Sequence, residues 1–138
     1  MMNMLLVPVD PLSDMHVGLL YDLLLERPHE ANISHQTMPT YEQHKDFVAS
    51  VPYMRWYIIR TGDVFVGSVY LTHQREIGVF IKKSHHRLGF ARRAVQILML
   101  MHPQKKFLAN VAPDNAASHA LFQKLGGKII QQTYALPC

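Results

Sequence analysis

With 138 residues, 49% hydrophobic and 17% charged, the chain is sized for one domain (1–138) around one buried core. Its lone cysteine, Cys138, excludes an internal disulfide and suits a reducing, cytoplasmic setting, and Pro8 and Asp10 cut the apolar start too short for a signal peptide or membrane span. The formal charge of +4 and the pI near 9.3 suit nucleic acid, a membrane surface or a polyanionic small molecule.

Taken in chain order, Asn3 to Val9 is a short apolar run that predicts a first strand. Ser13 can cap a helix through Leu25, with Val17, Leu20 and Leu24 at helical spacing and Pro28 as a stop. His29 to Pro39 is polar and irregular, a loop. Thr40 followed by Gln43 is a capping-box signature for a second helix, Tyr41 to Ala49. Arg55–Arg60 and Val64–Leu71, joined by Thr61-Gly62-Asp63, predict a hairpin, and Glu76–Ile81 a further strand. Ala91, Ala94, Val95, Leu98 and Met101 place a helix over Leu88–Met101, ended by Pro103. Lys106–Val111 reads as a strand, Asn115–Leu125 as a helix closed by Gly126-Gly127, and Lys128–Tyr134 as a last strand. The order predicts a mixed α/β domain, largely antiparallel in its first half, with local parallel pairing in its second.

The basic residues are unevenly placed. Lys82, Lys83, Arg87, Arg92 and Arg93 fall in one short segment, where a strand runs into a glycine-containing loop and then a helix. Unpaired N–H groups and the helix dipole at such a start bind phosphate or pyrophosphate. Gly89 permits close approach of the backbone, and the small Ala91 leaves room. No aromatic residues interleave with these charges in the way a base-stacking surface requires, so a local anion site is favoured over a nucleic-acid surface.

His86-Arg-Leu-Gly89-Phe-Ala91 resembles the pyrophosphate loop Q/R-x-x-G-x-G/A of the GNAT N-acetyltransferases. Downstream, Asn115-Ala-Ala-Ser118-His-Ala-Leu121-Phe122-Gln-Lys124-Leu-Gly126 is similar to that family's N-x-x-S/A-x-x-L-Y/F-x-K-x-G segment, and Trp56–Leu71 to its central hairpin. The strand Glu76-Ile-Gly-x-x-Ile81 resembles the branch containing ribosomal-protein N-terminal, polyamine and amino-sugar acetyltransferases. The resemblance implies a mostly antiparallel central sheet with a splayed parallel pair and flanking helices. It also implies direct acetyl transfer from acetyl-coenzyme A to an amine of a small molecule or peptide N-terminus. For the coenzyme it implies Val79, Phe80 and Ile81 on the strand, His86, Arg87, Leu88, Gly89, Phe90 and Ala91 in the loop, and Asn115, Ser118 and Phe122 on the later helix.

Three positions depart from the family pattern. His86 replaces the first loop residue, Phe122 stands where many members carry a tyrosine that protonates the departing thiolate, and the chain ends soon after Tyr134. An inactive acyl-coenzyme A-binding module is therefore the alternative to an enzyme.

Transfer to an ammonium needs a base and then a proton donor. Glu76, the carboxylate nearest the loop, is the candidate base, or else an edge carboxylate paired with Arg75 or Lys82. Tyr134 is a candidate acid or a core aromatic. Glu30, Asn32, Ser34, His35 and Tyr41 fall where the family shapes its acceptor pocket, and equally suit an ordinary polar loop. Nine histidines show no ligand spacing, so no metal site is expected. A last strand carrying Ile129 and Ile130 would leave an apolar sheet edge and favour a homodimer.

Overall fold

A computed structural model of the chain describes residues 3–27 and 38–137. Its element order is β1 (Met4–Pro8), α1 (Asp14–Glu26), α2 (Tyr41–Ala49), β2 (Arg55–Thr61), β3 (Val64–Leu71), β4 (Ile77–Ile81), α3 (Phe90–Met101) and α4 (Ala116–Lys124), with one 3-10 turn at Lys83–His85.

The strands form one antiparallel sheet in the order β1-β2-β3-β4. A two-residue turn, with Gly62 at φ 58°, joins β2 to β3. One register shift falls between Ile59 and Arg60, where Val66 is the extra residue on β3. That bulge lets Val66 face the same core as Val69 and Leu71.

Each face of the sheet is covered by helices. On one, Tyr57, Ile59, Val69, Leu71 and Ile77 pack with Ala94, Val95 and Leu98 of α3. On the other, Val17, Leu20 and Leu23 of α1 pack with Val48 of α2, against Val9 and Trp56. The expected caps form: Ser13 accepts from the N–H of His16, and Thr40 and Gln43 make the reciprocal capping box. Buried His44 ties the two helices, its Nε2 lying 3.1 Å from the Val17 carbonyl.

Two expected strands do not form. Lys106–Val111 contributes a single parallel bridge, Leu108 to Glu76, with Ile77 N–H donating to the Leu108 carbonyl at 2.7 Å and Leu108 N–H to the Arg75 carbonyl at 2.9 Å. Beyond that bridge the two segments diverge, so the splayed pair is reduced to its origin. Lys128–Tyr134 pairs with nothing among the described residues; Ile129 and Ile130 are exposed, and Tyr134 is 81% exposed. A run of this composition is held as a strand only by a neighbouring edge, and none lies beside it. The helix expected from Leu88 begins at Phe90, because Gly89 takes up a left-handed φ of 78° as its N-cap. No helix among the described residues is long and apolar enough to cross a membrane.

Candidate active site

The divergence after Leu108 opens a cleft of about 190 Å³ between β4 and the segment leading into α4. Its lining includes Arg27 from the end of α1, Tyr53, Tyr70 and Thr72, Glu76 to Phe80, Asn110 to Ala112, and Asn115, Ser118 and Phe122. A larger hollow of about 300 Å³ shares Tyr53 with this cleft but is walled mainly by prolines and apolar side chains, and no carboxylate lines it.

One wall of the cleft is the outer edge of β4. The N–H of Ile77 points away from β3, to Leu108, so by strand alternation the N–H groups of Val79 and Ile81 point the same way. Neither has a backbone partner among the described residues. The Ile81 carbonyl is taken by His86, whose Nε2 lies 2.8 Å away. His86 therefore folds back on the strand end and shapes the loop.

Past the strand end, Arg87 at φ 65° and Gly89 at φ 78° curl the main chain through two left-handed turns before α3. A non-glycine residue held in that region is strained, of the order of 1 kcal/mol, a device common at ligand loops. No side chain caps the start of α3, and a Cβ built at Gly89 meets nothing within 4 Å. The first N–H groups of α3 thus open onto free space beside exposed Arg87, Leu88, Arg92 and Arg93. Phe90 and Ala91 begin the helix. The loop is tied from behind by Glu26, whose Oε1 accepts from Lys83 N–H at 2.7 Å.

Glu76 sits at the root of the cleft. Thr72 Oγ1 donates to its Oε1 at 3.2 Å, and Asn110 Nδ2 to its Oε2 at 2.6 Å. Neither Arg75 nor Lys82 is its partner. Above it, the Tyr70 ring crosses Gly78, where any Cβ would overlap the phenol. Tyr53 stacks on Tyr70, centroids 3.9 Å apart and planes 2° apart. Burial raises both phenols above their ordinary value; Arg27 opposes the rise in each, and Glu76 adds to it for Tyr70.

Of the residues singled out from the sequence, Glu76, Val79, Phe80, Asn115, Ser118 and Phe122 meet in this cleft. Asn115 also caps α4, its Oδ1 accepting from Ser118 N–H at 3.2 Å, which leaves the Asn115 amide N–H₂ and the Ser118 hydroxyl free to face the space. Ile81 and His86 to Ala91 continue from β4 to the start of α3. Tyr134 is not brought to the cleft. Tyr41 stacks edge-on against Tyr21, centroids 5.3 Å apart, and does not line it either. Glu30, Asn32, Ser34 and His35 lie outside the described residues. Arg27, Tyr53, Thr72 and Asn110 come from separate segments that carry no motif, and Tyr70 from a hairpin whose resemblance to the family marks no site residue.

The model of the acetyltransferase (GNAT) family matches residues 19–127. The chain belongs to that family. This GNAT chain shares its fold with a domain from Methanocaldococcus jannaschii DSM 2661 (20% identity, TM-score 0.81, covering 96% of this chain and 93% of that one). It is similar to the Salmonella typhimurium acetyltransferase that modifies the N-terminal serine of ribosomal protein L7/L12 (19%, 0.68, 88% and 78%). It is also similar to aminoglycoside N-acetyltransferase AAC(6')-Iy in complex with coenzyme A (14%, 0.69, 100% and 96%). No curated protein matches the sequence. At these identities the structural likeness establishes the GNAT fold.

Proposed function

We propose that this chain transfers an acetyl group from acetyl-coenzyme A directly to the amine of a small molecule. The observation that carries the reading is the unpaired outer edge of β4, running from Glu76 at one end to the uncapped start of α3 at the other. The residues present fit the coenzyme. Val79 and Ile81 offer main-chain groups to an amide-bearing arm as an added strand would. The start of α3, with Arg87 and Gly89 curled before it, offers donors and positive potential to a pyrophosphate. Acetyl-coenzyme A supplies the acetyl group as a thioester.

Within that reading the side chains divide the proton traffic. Glu76, oriented by Thr72 and Asn110, takes the proton of the incoming ammonium directly or through one water. The freed amine lone pair then forms the new C–N bond as the C–S bond breaks, and the proton that the new amide nitrogen sheds replaces the one the donor gives to the sulfur. Phe122 has no proton to give to the leaving sulfur, whereas Tyr70 is a phenol in the same cleft, kept protonated by its burial. Tyr70 is therefore the proposed donor.

Phe122 favours a second reading, a coenzyme-binding module without turnover. Titration calorimetry with acetyl-coenzyme A, followed by a thiol-release screen of amino sugars, polyamines, amino acids and peptide N-termini, separates the two. No binding at micromolar concentration overturns both readings. Binding without turnover on any amine leaves the module.

A further inference from the structure

Arg27 is the one cation that lines the cleft among the described residues. It follows the last turn of α1, and its guanidinium carbon lies 3.8 Å from the centroid of the Phe80 ring. Among the described residues its buried Nε has no hydrogen-bond partner and no carboxylate pairs with it. Burial pushes the guanidinium below its ordinary pKa, opposed by Tyr70 and Tyr53. The stacked pair Tyr53–Tyr70 stands beside it, with Glu76 in the same cleft.

An arginine serving only to pack this helix end against Phe80 would be expected to direct its fork to carbonyls or water. Here the side chain lines the cleft, and no carboxylate among the described residues takes up its fork. A guanidinium is matched best by a planar oxyanion that accepts two parallel N–H bonds. The cleft thus holds a cationic anchor, an anionic one and an aromatic wall. Phe80 and Gly78 alternate with the core-facing Ile77, Val79 and Ile81, so the Phe80 ring that meets Arg27 is on the face of β4 away from α3.

We propose that Arg27 selects acceptors that carry a carboxylate as well as an amine, so that the substrate class is a small amino acid, with its carboxylate on Arg27 and its amine toward Glu76. This rests on the acetyl-transfer reading for the fate of the amine, but the binding preference stands independently of turnover.

The test uses the whole chain saturated with coenzyme A, and also without it. A panel of α-, β- and γ-amino acids, each against its own carboxamide, is titrated by calorimetry, with phosphoethanolamine as the arm that separates phosphate from carboxylate. At least one amino acid should bind about tenfold or more tighter than its carboxamide, about 1.4 kcal/mol. Arg27→Gln should abolish that difference while the Kd of acetyl-coenzyme A stays within about twofold, well below the tenfold that 1.4 kcal/mol represents. Arg27→Lys, which keeps the charge and loses the fork, should keep part of the preference and serves if Arg27→Gln does not fold. In turnover, Arg27→Gln should raise KM for the amino acid and leave kcat nearly unchanged. The proposal is overturned if no amino acid outbinds its carboxamide, if the preference survives Arg27→Gln, or if phosphoethanolamine outbinds every carboxylate. Failure of acetyl-coenzyme A to bind would sink both coenzyme readings but not this proposal, since the amino acid titrations without coenzyme still decide the role of Arg27.

Discussion

Asn110 donates its side-chain N–H to the Glu76 carboxylate at 2.6 Å, across 34 positions of sequence. The Leu108 bridge two residues earlier brings Asn110 there, and the divergence that follows makes the cleft. One hydrogen bond thus joins the two walls at the place where they part.

Glu76→Gln keeps a side chain of the same shape and removes the proton acceptor. Loss of a positioned base lowers the rate by roughly 10²–10⁴-fold. The expected result is a drop of that size in kcat with the affinity for acetyl-coenzyme A unchanged. Steady-state kinetics and calorimetry check it, and a variant with parental kcat would remove Glu76 from the mechanism.

Tyr70→Phe deletes one hydroxyl and retains the ring that stacks on Tyr53. It should lower kcat by about a hundredfold if the phenol supplies the proton, the lower end of the range for acid catalysis. Adding Phe122→Tyr to that variant should restore part of the loss, because both residues line the same cleft. In the parent, the raised phenol should cause no alkaline loss of rate below pH 10.0, its ordinary value.

Gly89→Glu puts a carboxylate in open space at the start of α3, where φ is 78°. Repulsion from the coenzyme phosphates should weaken binding at least about tenfold, or 1.4 kcal/mol, and the left-handed backbone adds strain. A thermal melt serves as the folding control. Parental affinity in a folded variant would place the phosphate site elsewhere.

His44 gives the fold a pH dependence. Burial holds its pKa below 6.5, against the hydrogen bond to Val17 that raises it. The unfolded chain therefore binds this proton more readily, and unfolding free energy should fall as pH drops below about 6.5, levelling off beneath the lowered folded value. Urea unfolding from pH 7.5 to 5 follows the slope. His44→Gln should reduce it, His102, also lowered by burial, keeping a part, and an unchanged slope would assign it to other groups.

Residues 128–137 make no hydrogen bond among the described residues, and Ile129, Ile130, Tyr134 and Leu136 are exposed. Truncation after Gly127 should leave the melting temperature nearly unchanged. If the homodimer expected from the sequence forms through this tail, light scattering should find a dimer for the full chain and a monomer for the truncated one. Tyr134→Phe should retain full activity, and a large loss would return Tyr134 to the mechanism.

Local chemistry made much of this legible in the sequence. The caps at Ser13 and Thr40, the Gly62 turn and the strand–loop–helix around Gly89 each depend on a few neighbouring residues. The paired coenzyme segments carried the family resemblance for the same reason. Strand pairing is different, because a β-run is stable only against an edge that sequence does not specify. Lys106–Val111 and Lys128–Tyr134 have strand-like composition, yet one makes a single bridge and the other none. The cleft depended still more on tertiary structure. Arg27, Tyr53, Tyr70, Thr72 and Asn110 become neighbours of Glu76 only once α1 has packed on one face of the sheet and the Leu108 segment has met β4 at one point.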